Sequence, residues 1–148
     1  MKANELMVGD WAHLHYKEYG TTRDVHIDFQ VSQIRKNGFD DEEDTYVWGV
    51  EHGNMGNVKY IEPIVLNSDI LRRNGFTDCT TSVLDRENDN WYWYLGEGNY
   101  ISNSDLLINL HERSFNVRYN NNSVFGLRYV HELQHALRLF GVGKKIEL

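Results

Sequence analysis

From Asp24 to Val31, apolar and polar residues alternate without a break. Val25, Ile27, Phe29 and Val31 hold one set of positions; Asp24, His26, Asp28 and Gln30 hold the other. A period of two places the two sets on opposite faces of a strand, so this segment predicts a β-strand with one buried and one wet face. Ile34 extends the apolar side only past a twist or bulge. Such a strand needs partners, and the neighbouring sequence supplies them. Leu6–Trp11 reads as a lead-in turn and the start of a strand, Tyr46–Val50 as another strand and Asn57–Ile61 as one more. Pro63, the only proline, closes the run and suits an edge or an exit. Four or five short strands with no helix between them predict a small curled sheet, and an SH3-like β-barrel over residues 1–65 is the expected architecture.

The remainder, residues 66–148, mixes helix and strand signals. Asn67 or Ser68 can cap a short helix, with Asp69 in its first turn and Gly75 at its end. Trp91–Leu95 is strongly β-prone, Gly96-Glu97-Gly98 is a turn, and Tyr100-Ile101 is a return. Leu106–Ile108 fits either a strand or a short helix. Phe115, Val117 and Tyr119 alternate with polar residues, and Asn120-Asn121-Asn122 ends that strand. Leu127, Val130, Leu133, Leu137 and Phe140 recur at helical spacing, predicting a C-terminal amphipathic helix from Leu127 to Phe140, stopped by Gly141. Lys144–Leu148 reads as a final strand. The fold class is therefore α+β: a small barrel, a second antiparallel β group and a C-terminal helix, as two subdomains sharing one continuous core.

Composition limits the functions open to such a chain. Its 148 residues are 41% apolar and 13% aromatic, enough for a real core, and its net charge is −7. A nucleic-acid binder needs a basic face, so this balance argues against DNA or RNA as partner. Cys79, the single cysteine, allows no intrachain disulfide and suits a cytoplasmic setting. Its neighbours carry no nucleophile signature, and it reads as a packing residue. No signal-peptide pattern opens the chain and no apolar run is long enough to span a membrane. Five adjacent acids, Asp40-Asp41-Glu42-Glu43-Asp44, predict a solvated loop; they are also the only support for a third reading, an acidic inhibitor that mimics DNA.

His131-Glu132-Leu133-Gln134-His135 matches H-E-x-x-H. On a helix this spacing sets two imidazoles about 40° apart, as zinc ligands, with the glutamate as general base. The alternative function is therefore a zinc hydrolase with His131 and His135 as ligands, Glu132 as catalytic base and zinc as cofactor. Two features count against it. Arg128 and Arg138 share the polar arc of the histidines and repel a dication. The third ligand is also missing: Arg138 and Gly141 occupy the positions of the longer metzincin pattern, and Glu147 is the only acid after His135. His111 or Glu112 would be an unusual upstream ligand. The competing reading is a solvent-facing polar arc on an amphipathic helix.

Two further groups carry chemistry. His13 and His15 share one face of a strand, His26 lies on the wet face of a neighbour, and three imidazoles suit zinc or copper; a polar surface is the simpler reading. Trp91, Tyr92, Trp93 and Tyr94 form four aromatics in a row, two facing each way. One pair fills a core. The other is covered by another element or forms the wall of a site for a planar ligand such as a nucleotide, with Arg113 and Arg118 placed to meet phosphates. No P-loop, dinucleotide fingerprint or nucleophile elbow is present.

Ile61–Leu66, then Ile70–Phe76, then Tyr129–Gln134 form an ordered set of segments, and Met1–Trp11 adds a fourth. In these segments the chain resembles a family of short uncharacterised proteins common in gut anaerobe genomes, their phages and mobile elements. The resemblance implies that Tyr-Val-His and Leu-Gln are recurrent while a histidine at position 135 is not. It brings no activity, but it implies a mobile-element setting in which small proteins bind and block something. The reading that follows is a non-catalytic binding or inhibitory protein with no cofactor. Its partner is a protein or a small ligand, a nucleotide among them, and a second copy of the chain is also admitted; sequestering a nucleotide signal is the anti-defence form of that reading.

Overall fold

A computed structural model of the chain describes residues 5–36, 45–88, 90–96, 106–111 and 113–148. The acidic run at 40–44, the turn and return at 97–101 and Glu112 lie outside the described residues. The chain divides into two compact units, Met1–Ile64 and Val65–Leu148. No helix among the described residues is long and apolar enough to cross a membrane.

In the first unit, β1 (Trp11–Lys17), β2 (Asp24–Lys36), β3 (Thr45–Gly49), β4 (Gly53–Asn57) and β5 (Ile61–Glu62) form an antiparallel sheet in the order β4-β3-β2-β1-β5. The alternation in β2 is realised. Phe29 and Val31 are buried, while Asp24, His26 and Asp28 are exposed. The β2–β3 register slips between Val31 and Gln33, which is the bulge that carries Ile34 back to the apolar side. Ala12, Leu14, Phe29, Val31, Val47, Met55, Val58 and Ile61 pack together as the core. The lead-in turn is tied down by Gly9 N–H donating to the Val31 carbonyl at 2.7 Å and Met7 N–H donating to Asp10 Oδ2 at 2.7 Å.

Two expectations need correction here. The sheet is open rather than a closed barrel, because β5 has only two residues and they ladder with β1 alone. The segment expected as a strand at 57–61 begins with a single 3-10 turn, Val58–Tyr60, in which Asn57 Oδ1 accepts from Lys59 N–H at 2.9 Å. That side-chain cap draws the backbone out of the ladder just after β4.

In the second unit, Asn67 caps α1 (Ser68–Arg73), its Oδ1 accepting from Asp69 and Ile70 N–H at 3.0 Å each. Gly75, at φ 79°, ends it as the sequence predicts. Then follow β6 (Thr77–Asp78), the short α2 (Val83–Glu87), β7 (Trp91–Leu95), β8 (Leu106–His111), β9 (Ser114–Tyr119), β10 (Asn122–Leu127) and α3 (Val130–Leu139). The strands form an antiparallel sheet ordered β10-β9-β8-β7-β6. Trp93, Ile108, Phe115 and Val117 are buried on one face, and Phe140, beyond α3, meets Tyr119 of β9 at 6.1 Å between rings.

Three expectations shift. Leu127 ends β10 instead of opening the helix, and the register breaks before it at Gly126, whose φ is 78° and whose N–H donates to Asn116 Oδ1. The tail at 144–148 is not a strand: Ile146 is buried, and Asn74 holds Glu147, donating to its carbonyl at 2.7 Å and accepting from its N–H at 2.8 Å. A single amide side chain here does what a strand neighbour would. Finally, the polar arc of α3 is not all solvent-facing, since His131 and Gln134 are buried.

Candidate functional site

Strand β7 splits its four aromatics by parity. Trp91 and Trp93 face the side that carries Ile108, Leu110, Phe115 and Val117; Tyr92 and Tyr94 face the other. The two indoles lie along one face with ring centroids 6.3 Å apart and planes 23° apart, and Phe115 meets Trp93 at 5.9 Å. Trp93 is wholly buried, and its indole N–H has no hydrogen-bond partner among the described residues. Trp91 is half-buried, with the guanidinium of Arg86 5.3 Å over its ring. That guanidinium is itself anchored by donating to the Thr80 carbonyl at 2.8 Å.

Trp91 and Trp93 belong to a pocket of about 310 Å³. Leu110 and Phe115 continue its apolar wall; Leu66, Asn67, Ser68 and Arg72 enter from the α1 side, and Arg113 from the turn between β8 and β9. Arg113 sits at φ 65°, the left-handed conformation that tight two-strand turns call for. Arg72 is steadied by Asp69, 3.0 Å away on the exposed side of α1. No carboxylate lines the pocket among the described residues, so Arg72 and Arg113 join Arg86, already over the Trp91 ring, around an indole surface in a chain of net charge −7. Such an arrangement can stack a planar ring and meet an anionic group with planar, forked donors.

Of the residues read from sequence, the structure brings Trp91, Trp93 and Arg113 together. Tyr92, Tyr94 and Arg118 fall on the opposite face, where Tyr94, Leu107 and Arg118 lie in one cross-strand row. The reason is the period of two: consecutive strand residues cannot line one pocket. The Asn67-Ser68 pair was readable as a helix start but gave no sign of facing the tryptophans, and Arg72 carried no signal of its own.

The H-E-x-x-H helix has another arrangement. Glu132 folds back over the start of α3, its Oε2 accepting from Arg128 N–H at 2.6 Å and Tyr129 N–H at 3.0 Å. The carboxylate thus satisfies donors at the helix start and meets the positive end of the helix dipole. The buried His131 stacks on Tyr129 at 5.8 Å, and His135 meets it edge-on at 5.7 Å and 76°. Among the described residues no group of three or more His, Cys, Asp or Glu side chains is set to hold a metal ion.

Cys79 is half-buried beside Asp78, and its Sγ donates to the Tyr92 carbonyl at 3.4 Å. Burial first, then the Asp78 charge, pushes its thiol above the ordinary value, against a smaller lowering by a backbone hydrogen bond. The thiolate is the reactive form. Alkylation by iodoacetamide at pH 8 is therefore expected to run severalfold slower than for a free cysteine and to accelerate as pH rises further; a rate matching free cysteine would contradict this environment.

Compared with known proteins, the chain matches no family model, no curated protein and no solved structure.

Proposed function

We propose that this chain is a non-catalytic binding protein whose second unit holds a small planar anion of nucleotide type. The observation that carries the reading is the pocket over Trp91 and Trp93, with Arg72 and Arg113 at its walls and no acid among its described lining residues. Stacking on an aromatic side chain contributes about 1–3 kcal/mol per base, and a guanidinium fork matches a phosphate. Its volume of about 310 Å³ is at the small end for ligand sites, which favours one base with a short anionic arm over a long polyphosphate. In the mobile-element setting that the resemblance implies, capturing a nucleotide signal is the physiological form of this proposal.

We also read the first unit as SH3-like. The order β4-β3-β2-β1-β5 and the 3-10 turn just before the last strand support that reading.

The test is tryptophan fluorescence and thermal shift of the full chain against nucleoside mono-, di- and cyclic phosphates. Quenching with a raised Tm is expected. Arg113→Ala should weaken the affinity about tenfold, the loss of one charge-assisted contact, and Trp91→Ala by at least as much. A panel that leaves fluorescence and Tm unchanged, or binding untouched by both substitutions, would sink the proposal.

A further inference from the structure

The outer face of β1 and β2 gathers three of the chain's seven histidines, His13, His15 and His26, none of which lines the pocket. The register sets His13 opposite Asp28 and His15 opposite His26, and Glu62 of β5 lies opposite His13 on the other side. The side chains have closed on each other. His13 Nδ1 is 2.6 Å from Asp28 Oδ1, and His13 Nε2 is 3.1 Å from His26 Nδ1. The His15 ring stacks on His26 at 4.4 Å and 14°, and its Nδ1 is 3.5 Å from Glu62 Oε1. As ties between exposed groups these contacts contribute little to stability.

We infer that this face takes up a divalent cation that prefers imidazole, zinc or copper, with His13 Nε2 and His26 Nδ1 as its first two ligands and His15 as the third. A tetrahedral ion bound at about 2.0–2.1 Å holds two nitrogens about 3.3 Å apart, close to the separation already present. Asp28 gives His13 the carboxylate that commonly stands behind a ligating imidazole: it accepts the Nδ1 proton and leaves the Nε2 lone pair outward. His26 then donates from Nδ1 to His13 Nε2. Binding requires that proton to move to His26 Nε2 through solvent, a change of tautomer that leaves both rings neutral and available. His15 completes the set by rotating its exposed ring off His26. No three groups are in ligand geometry beforehand among the described residues, so the site closes on uptake. Asp28 and Glu62 also add negative charge that favours a dication.

Calorimetric titration of the untagged full chain with Zn2+ and with Cu2+ tests this. One equivalent is expected, copper binding more tightly than zinc, as the general order for nitrogen ligands requires. His26→Gln should abolish uptake, Asp28→Asn should weaken it about tenfold or more, and His135→Gln should leave it unchanged. Ring NMR signals of the unmutated protein give an independent reading: those of His13, His15 and His26 should shift with zinc while that of His111 does not. Absence of uptake of either cation below millimolar, uptake that survives His26→Gln, loss in His135→Gln, or zinc shifts centred on other histidines would each overturn the inference.

Discussion

Trp93→Ala is expected to destabilise the second unit by about 3–5 kcal/mol, the usual cost of emptying a large aromatic site. Trp93 has no solvent exposure, lies on the strand that joins β6 to β8, and shares ring contacts with Trp91 and Phe115. Its removal leaves a hole beside Ile108 on the adjacent β8 and the ring of Phe115 on β9, and a hydrogen-bonded sheet cannot collapse far to fill it. The companion substitution makes the argument sharper. Trp93→Phe loses part of the ring volume, but it also removes a buried N–H that has no partner among the described residues, a group that costs about 1–3 kcal/mol while unsatisfied. The two effects oppose each other, so Trp93→Phe should fall within about 1.5 kcal/mol of the parent, the range of tolerated hydrophobic swaps. Urea unfolding of the three proteins decides it. A phenylalanine variant as unstable as the alanine one would mean that the indole N–H is satisfied after all.

The same residue shows how far sequence could reach. That Trp91–Leu95 is a strand with two aromatics on each side follows from composition and period alone. Which pair faces the pocket does not, because both faces of β7 are rich in aromatics and the pattern carries no preference. Arg113 was legible as a nearby cation, yet Arg72 is nineteen positions before Trp91 in sequence and reaches the tryptophans only through the fold. Local signals with a single mechanism did better. The Asn67 cap, the Gly75 stop and the Asn120-Asn121 turn, at φ 47° and 65°, were all readable because each residue type answers one backbone need.

Errors arose where two patterns overlapped. Leu127 fits the apolar stripe of α3 as well as it fits the end of β10, and nothing local marks Asn122–Leu127 as a strand until Gly126 is seen to bend it. The barrel expected over 1–65 placed β1, β2 and β3 but passed over β4 at Gly53–Asn57 and read the 3-10 turn at Val58–Tyr60 as strand. Closure depends on how many ladder bonds the last strand can make, and a two-residue β5 makes few. On α3, Gln134 falls between Val130 and His131 around the helix, so the buried arc is wider than its apolar residues alone suggest.

Glu132→Ala is expected to lower stability by about 2 kcal/mol, at the upper end for a helix cap. One carboxylate oxygen serves two backbone donors, Arg128 N–H and Tyr129 N–H, at the positive end of α3. Alanine leaves both donors to water and removes a charge that the helix dipole favours. Glu132→Gln separates those terms. Its amide oxygen can still accept from the same N–H groups, so only the charge is lost, and the cost should fall to about 0.3–1 kcal/mol, the ordinary magnitude for a charge at a helix end. A catalytic base would behave in the opposite way: glutamine would eliminate activity as fully as alanine while leaving stability untouched. Thermal or urea unfolding of the two variants thus distinguishes a cap from a base without any substrate. If Glu132→Ala and Glu132→Gln both unfold with the parent, the carboxylate is not holding the start of the helix, and the zinc-hydrolase reading of His131-Glu132-Leu133-Gln134-His135 regains its base.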